Sequence, residues 1–129
     1  MVCGDCSRPD SPASAEARGW LLLYPRLAAF CRLVQRRTSL SMTEIAVLCA
    51  LHETGASEMR DLRRAVAADA GHLSRILAAF EQADMVVRES SDGDGRVRRV
   101  ALTALGAERC LAVSCAAAEI AREISASHA

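Results

Sequence analysis

Four of the six cysteines in this 129-residue chain stand where thiolates could meet. Cys3 and Cys6 form a C-x-x-C pair, a spacing that can place two sulfurs on one metal ion. Cys110 and Cys115 fall on the last predicted helix, pointing well over a hundred degrees apart around it. The four would share a zinc ion or an iron–sulfur cluster only if the N-terminal arm folded over that helix or over its copy in a dimer. The competing reading makes Cys31, Cys49, Cys110 and Cys115 small apolar core residues and leaves Cys3 and Cys6 in a flexible arm. His52, His72 and His128 lack metal-ligand spacing such as H-x-x-x-H. Trp20, Tyr24 and Cys31 could line a pocket for a small organic effector, or they could pack in the core. No Ser/His/Asp or Cys/His arrangement, phosphate loop or paired-carboxylate site is visible, so no enzymatic activity is expected.

All sixteen basic residues are Arg, and the formal net charge is zero. Arginine carries a planar fork of donors suited to phosphate and to guanine. A neutral chain is not an indiscriminate polyanion binder, so recognition of nucleic acid would rest on local charge placement. Arg60, Arg63, Arg64, Arg75, Arg88, Arg96, Arg98 and Arg99 cluster in the middle of the chain, where acids offset them. The N-terminus lacks a basic segment followed by an apolar run, and no membrane-length apolar stretch is present. A cytoplasmic protein with reduced thiols is expected.

The elements that would position these groups follow from periodicity. Residues 1–14, rich in Gly, Pro, Ser and Asp, read as a flexible arm. Residues 15–37 carry apolar side chains at helical spacing (Trp20, Leu23, Tyr24, Leu27, Phe30, Cys31, Val34), with Pro25 either kinking one helix or opening a second. Ser41 and Glu44 form a capping-box pattern ahead of Ile45, Val47, Leu48 and Leu51, and Gly55 stops that helix. Ser57 is placed to cap a short helix holding Met59, Leu62 and Val66. Asp69 is placed to cap another with Leu73, Ile76, Leu77 and Phe80 on one face. Two short helices so close together have helix-turn-helix spacing. Met85–Arg88 and Arg96–Leu102 read as a two-stranded hairpin around a Gly/Asp-rich loop. Thr103 then caps a final helix with an apolar stripe at Val113, Ala117, Ile120 and Ile124. The fold class is mainly α with a small β-hairpin wing.

The run Asp69-Ala-Gly-His-Leu-Ser-Arg-Ile-Leu77, followed by Phe80-Glu81, Met85-Val-Val-Arg88, Asp94-Gly-Arg96, Val100-Ala-Leu-Thr103 and Gly106, resembles the MarR (multiple antibiotic resistance) family of winged helix-turn-helix regulators. The resemblance spans Leu40 to Gly106. It implies a winged helix-turn-helix over residues 40–103, flanked by dimerisation helices at 15–37 and 104–126. It also implies a homodimer on a pseudo-palindromic double-stranded operator, acting as a repressor that a small ligand, oxidant or metal relieves. Gly71, His72, Ser74 and Arg75 would then lie at the start of the recognition helix, whose N–H groups attract phosphate. Asp94 would orient Arg96 into the minor groove. Arg98 and Arg99 alternate along a strand, so at most one of them, Arg98, would face DNA.

Three positions depart from the family pattern. Asp84 stands where Gly is usual, and Arg63 stands where Ala is common. The segment after the wing has room for one helix where two are usual. With the neutral charge, these departures keep a second function open: a winged-helix protein-interaction module that does not bind DNA.

Overall fold

A computed structural model describes residues 11–90 and 98–127. The elements run α1 (Pro12–Thr38), α2 (Met42–Thr54), β1 (Ala56–Glu58), α3 (Met59–Val66), α4 (Ala70–Gln82), β2 (Val86–Ser90), β3 (Arg98–Leu102) and α5 (Ala104–Ser127). The mainly helical architecture with a small sheet is the expected one. Two local features differ from expectation, and between them Pro25 decides an open alternative.

The first is the start of α1. Ser11 accepts a hydrogen bond from the Ser14 backbone N–H at 3.1 Å, and Pro12 follows as the first helical residue. The residues expected to end the arm are thus a cap and a first turn, because proline loses nothing where the helix has no partner for its N–H. Pro25 lies inside one continuous helix. It withholds one donor in a stretch of exposed side chains, where water can serve the freed carbonyl of Leu21.

The second is β1. Ser57 does not cap α3; its hydroxyl is 2.7 Å from that of Thr54, and Glu58 occupies the cap position without a side-chain bond. The backbone ahead of a helix must be extended, and here that extended stretch pairs antiparallel with β3, Ser57 opposite Val100. The sheet is therefore three-stranded, in the order β1-β3-β2, rather than a bare hairpin.

The core has two parts. Leu48, Leu51, Leu62, Leu73, Leu77, Phe80 and Val100 join α2, α3, α4 and the sheet into one cluster. Val34, Ile45, Val113 and Ile120 join α1, α2 and α5 into a second, with Phe30, Ala117 and Ile124 packed against it. Helix α2 serves both because it is apolar on more than one face. Its capping box forms as expected, with the Glu44 N–H donating to Ser41 Oγ at 3.1 Å and the Ser41 N–H donating to Glu44 Oε1 at 2.9 Å. At the C-terminus of α1, Arg109 of α5 donates to the Thr38 carbonyl, and Arg37 bonds Glu119 at 3.0 Å.

The wing meets α5 at a close backbone contact. Asp84 turns the chain out of α4 with φ 60°, the left-handed conformation that favours glycine and that Asp tolerates better than most residues. The Thr103 N–H donates to the Met85 carbonyl at 3.0 Å, and its hydroxyl donates to the Asp84 carbonyl. The same hydroxyl caps α5 by accepting from the Gly106 N–H at 3.1 Å. A Cβ on Gly106 would collide with the Met85 carbonyl oxygen. Gly106→Ala should therefore cost on the order of 2 kcal/mol in urea unfolding, as forced overpacking does. Wild-type stability of that variant would contradict the contact.

Candidate nucleic-acid interface

Helix α4 divides cleanly around its axis. Leu73, Ile76, Leu77 and Phe80 are buried, while Gly71, Ser74, Arg75, Ala78 and Gln82 form an exposed stripe. His72 sits half-buried at the boundary. Helix α3, anchored by the buried Leu62, precedes α4 across a turn in which Ala67 takes φ 52°. Because its apolar face is spent on the core, α4 presents Gly71, Ser74 and Arg75 outward on a fixed backbone.

The start of α4 is not an open cradle of N–H groups, as expected from sequence. Asp69 Oδ1 accepts the His72 N–H at 2.8 Å. That bond, outweighing the small desolvation of the group, holds the Asp69 carboxyl below its ordinary value, aided by the charges of His72 and Arg75 and by the Gly71 N–H. A depressed folded-state value means that the cap's contribution is present above the ordinary carboxylate range. It is lost as pH falls through the lowered value. Gly71 lies between these groups: a Cβ there would sit 3.4 Å from Asp69 Oδ1 and 3.6 Å from an Arg75 guanidinium nitrogen. Arg75 thus leans back toward the N-terminus of its helix, over the one residue that has no side chain.

In the wing, β2 and β3 pair with Arg88 opposite Val100 and Glu89 opposite Arg99. Arg98 and Arg99 are both exposed. Arg98 lines an open cleft of about 550 Å³ together with Ala78, Glu81, Gln82 and Arg88. The fold therefore brings Arg98 to the same cleft as the far end of the α4 stripe, with Glu81 and Arg88 paired at 2.8 Å across its floor. Asp94 and Arg96, expected at the wing tip, lie outside the described residues.

The expected effector pocket does not form within one chain. Trp20 and Tyr24 are 67% and 69% exposed, neither core nor pocket. Helix α5 reaches along α1 only as far as a shallow apolar groove of about 240 Å³ lined by Leu23, Leu27, Phe30 and Ile124, with Arg26 at its edge. Cys31, half-buried, does not line this groove.

Helix α5 also separates its two thiols. Cys110 is buried and Cys115 exposed, so the helix does not bring them to one site. The neighbour of Cys110 is instead Cys49 of α2, which sequence spacing could not reveal because the two stand sixty-one positions apart. Burial, and secondarily that neighbour, raise the Cys110 thiol above its ordinary value, and its Sγ points at the Leu48 carbonyl 3.8 Å away. Cys3 and Cys6 lie outside the described residues, among which no group of three or more His, Cys, Asp or Glu is placed to hold a metal. Among the same residues, no helix is long and apolar enough to cross a membrane.

Residues 40–97 match the model of the MarR family. No curated protein matches the sequence of the chain. A cysteine-to-serine mutant of MarR from E. coli superposes with a TM-score of 0.75 at 22% identity, covering 82% of this chain and 81% of that one. The same mutant complexed with operator DNA gives 0.69 at 22% identity, covering 80% and 76%. NadR in complex with 4-hydroxyphenylacetate gives 0.72 at 22% identity, covering 86% and 79%. At these identities the solved structures speak for the fold, and the family match covers the segment that holds α2 to β2. The chain thus has the fold of the MarR structures, and residues 40–97, 58 of its 129, match the model of that family.

Proposed function

We propose that the protein is a homodimeric, DNA-binding transcriptional repressor whose grip on a pseudo-palindromic operator is released by a small ligand or an oxidant. The observation that carries this reading is the exposed stripe Gly71–Ser74–Arg75 on a helix whose opposite face is locked into the core. A helix so presented can enter a major groove. Arg75 is able to fork onto guanine O6 and N7, Ser74 can reach a base edge or phosphate, and Gly71 lets the backbone approach closely. Arg98 would face the sugar-phosphate wall from the wing, with Asp94 and Arg96 beyond it at the adjacent minor groove. The related MarR structure with operator DNA and the NadR structure with 4-hydroxyphenylacetate support the two halves of the proposal, operator and small ligand.

The dimer is argued from α1. Trp20, Leu21, Leu22 and Tyr24 are each about two-thirds or more exposed, with Leu23 and Leu27 close to half. So continuous an apolar surface on one helix calls for cover. A second copy offering the same surface supplies it with two-fold symmetry, and that symmetry matches a palindromic operator. The apolar groove between α1 and α5 continues this surface, so the single helix after the wing would take part.

Four outcomes are expected. With duplexes selected from a random pool, Arg75→Ala should weaken binding by about 10- to 100-fold, the worth of one bidentate base contact. Gly71→Ala should leave the protein folded, with a gain of about 0.5–1 kcal/mol in helix stability, while still weakening DNA binding. If neither variant loses affinity, the DNA-binding reading fails and the protein-interaction module takes its place. In sedimentation, the wild type should be dimeric at micromolar concentration and the Trp20→Asp/Leu21→Asp variant monomeric; a monomeric wild type refutes the dimer. Alkylation mapped by mass spectrometry should modify Cys49 in the native protein and Cys110 only after unfolding. Equal rates at the two thiols would contradict the buried, proton-holding environment of Cys110.

A further inference from the structure

We infer that Arg60, Arg63 and Arg64 of α3 form a phosphate-binding notch that grips the DNA backbone beside the groove entered by α4, supplying affinity without sequence preference. The inference rests on the DNA-binding reading above and adds to it a clamp on a different helix.

The notch is a concavity of about 280 Å³ lined by Arg60, Arg63, Arg64 and Ala68. Positions 60, 63 and 64 have the i, i+3, i+4 spacing that stacks side chains on one helix face. The burial of Leu62 from the same helix fixes that face relative to the core. Three arginines tie elements together: Arg37 to Glu119 and Glu123, Arg88 to Glu81, Arg109 to the end of α1. The notch arginines make no such tie, and all three share one concavity. Among the described residues, Arg63 and Arg64 have no ion pair, and Arg60 has only a loose contact with Glu58 at 3.7 Å, its side chain 74% exposed. Asp61, on the same helix, pairs with none of them. Three like charges gathered with only the loose contact to Glu58 beside them repel one another in the free protein. An oxyanion held between them removes that repulsion and gains charge-assisted hydrogen bonds.

The position of the notch selects the anion. Ala68 immediately precedes Asp69, the cap of α4, so the notch opens at the N-terminus of the recognition helix. That N-terminus is a poor phosphate site of its own, because the Asp69 carboxylate already occupies the His72 N–H and places a negative charge there. With α4 in a major groove, the first helix of a helix-turn-helix crosses the bordering backbone. The phosphates of that backbone are then the anions nearest to Arg60, Arg63 and Arg64.

The test is a set of binding isotherms with full-length protein, a selected duplex and an unrelated duplex, from about 50 to 200 mM salt, where each phosphate contact contributes about 0.9 to the log–log slope. Arg63→Ala/Arg64→Ala should flatten the slope by about two for each bound subunit, about 3.6 for a dimer, and weaken both duplexes by the same factor. Arg63→Lys/Arg64→Lys should restore the slope, since charge and not fork geometry is required. Arg75→Ala should instead narrow the ratio between the two duplexes. Unchanged thermal melting of the alanine variant would show that the loss is one of contact rather than of folding. The inference is overturned if the alanine variant keeps the wild-type slope, or if it weakens the selected duplex alone. It is also overturned if inorganic phosphate that binds the wild type but not the alanine variant leaves DNA binding of the wild type unchanged at constant ionic strength, which would mark the notch as a site for a free phosphate ligand. A wild type that binds neither duplex refutes the underlying DNA-binding reading, and the notch with it.

Discussion

Gly106 lies so close to the Met85 carbonyl that no side chain fits between them, and Thr103 ties the same junction with three hydrogen bonds. This contact joins the exit of α4, the first wing strand and the start of α5 within a few residues. Each of those elements also packs in the shared core, and this junction holds their backbones together at its edge. Cys110, one turn along α5, then enters the core beside Leu48, and Val113 and Ile120 carry the helix on to α1. The surface that would face DNA and the surface that would face a second copy are thereby coupled through one rigid helix. In such an arrangement, movement of α5 against α1 has a mechanical route to the wing.

Charge follows the same division of labour. Within a net charge of zero, two groups of arginine differ in their surroundings. Those at element junctions are paired with glutamates or backbone carbonyls, as Arg37, Arg88 and Arg109 are. Those on α3, on the exposed stripe of α4 and at the base of the wing face solvent on the helix-turn-helix side. Pairing the first group leaves the second as the effective field of the surface, which is why the overall balance is a poor guide to the partner.

Much of this architecture was legible in the chain itself. The Ser41–Glu44 capping box, the Asp69 cap, the apolar stripes of α4 and α5 and the Thr103 start are local signals, set by side chains reaching their own backbone or by a period of 3.6 residues. The resemblance carried by Asp69–Leu77, Met85–Arg88 and Gly106 pointed to the family that the match over 40–97 also gives. Local signals misled where a segment had two local options and a distant partner chose between them. Ser57 is a good cap in isolation, yet β3 offers its edge and Ala56–Glu58 pairs with it. Trp20 and Tyr24 lie on an apolar helical stripe, yet α5 covers only the C-terminal half of α1, so both remain exposed.

The sequence by itself determined where α2, α4 and α5 begin, which face of α4 is apolar and which residues lead that helix, because those properties depend on neighbours within a few positions. Only the tertiary structure decided that Cys110 stands beside Cys49 and not Cys115, and that Arg98 shares a cleft with Ala78 and Gln82. It also gathered Arg60, Arg63 and Arg64 into one notch with Ala68, beside the start of α4, with only Glu58 in loose contact. The first two relations join residues far apart in the chain. They are set by how whole helix faces pack, and no local propensity encodes that.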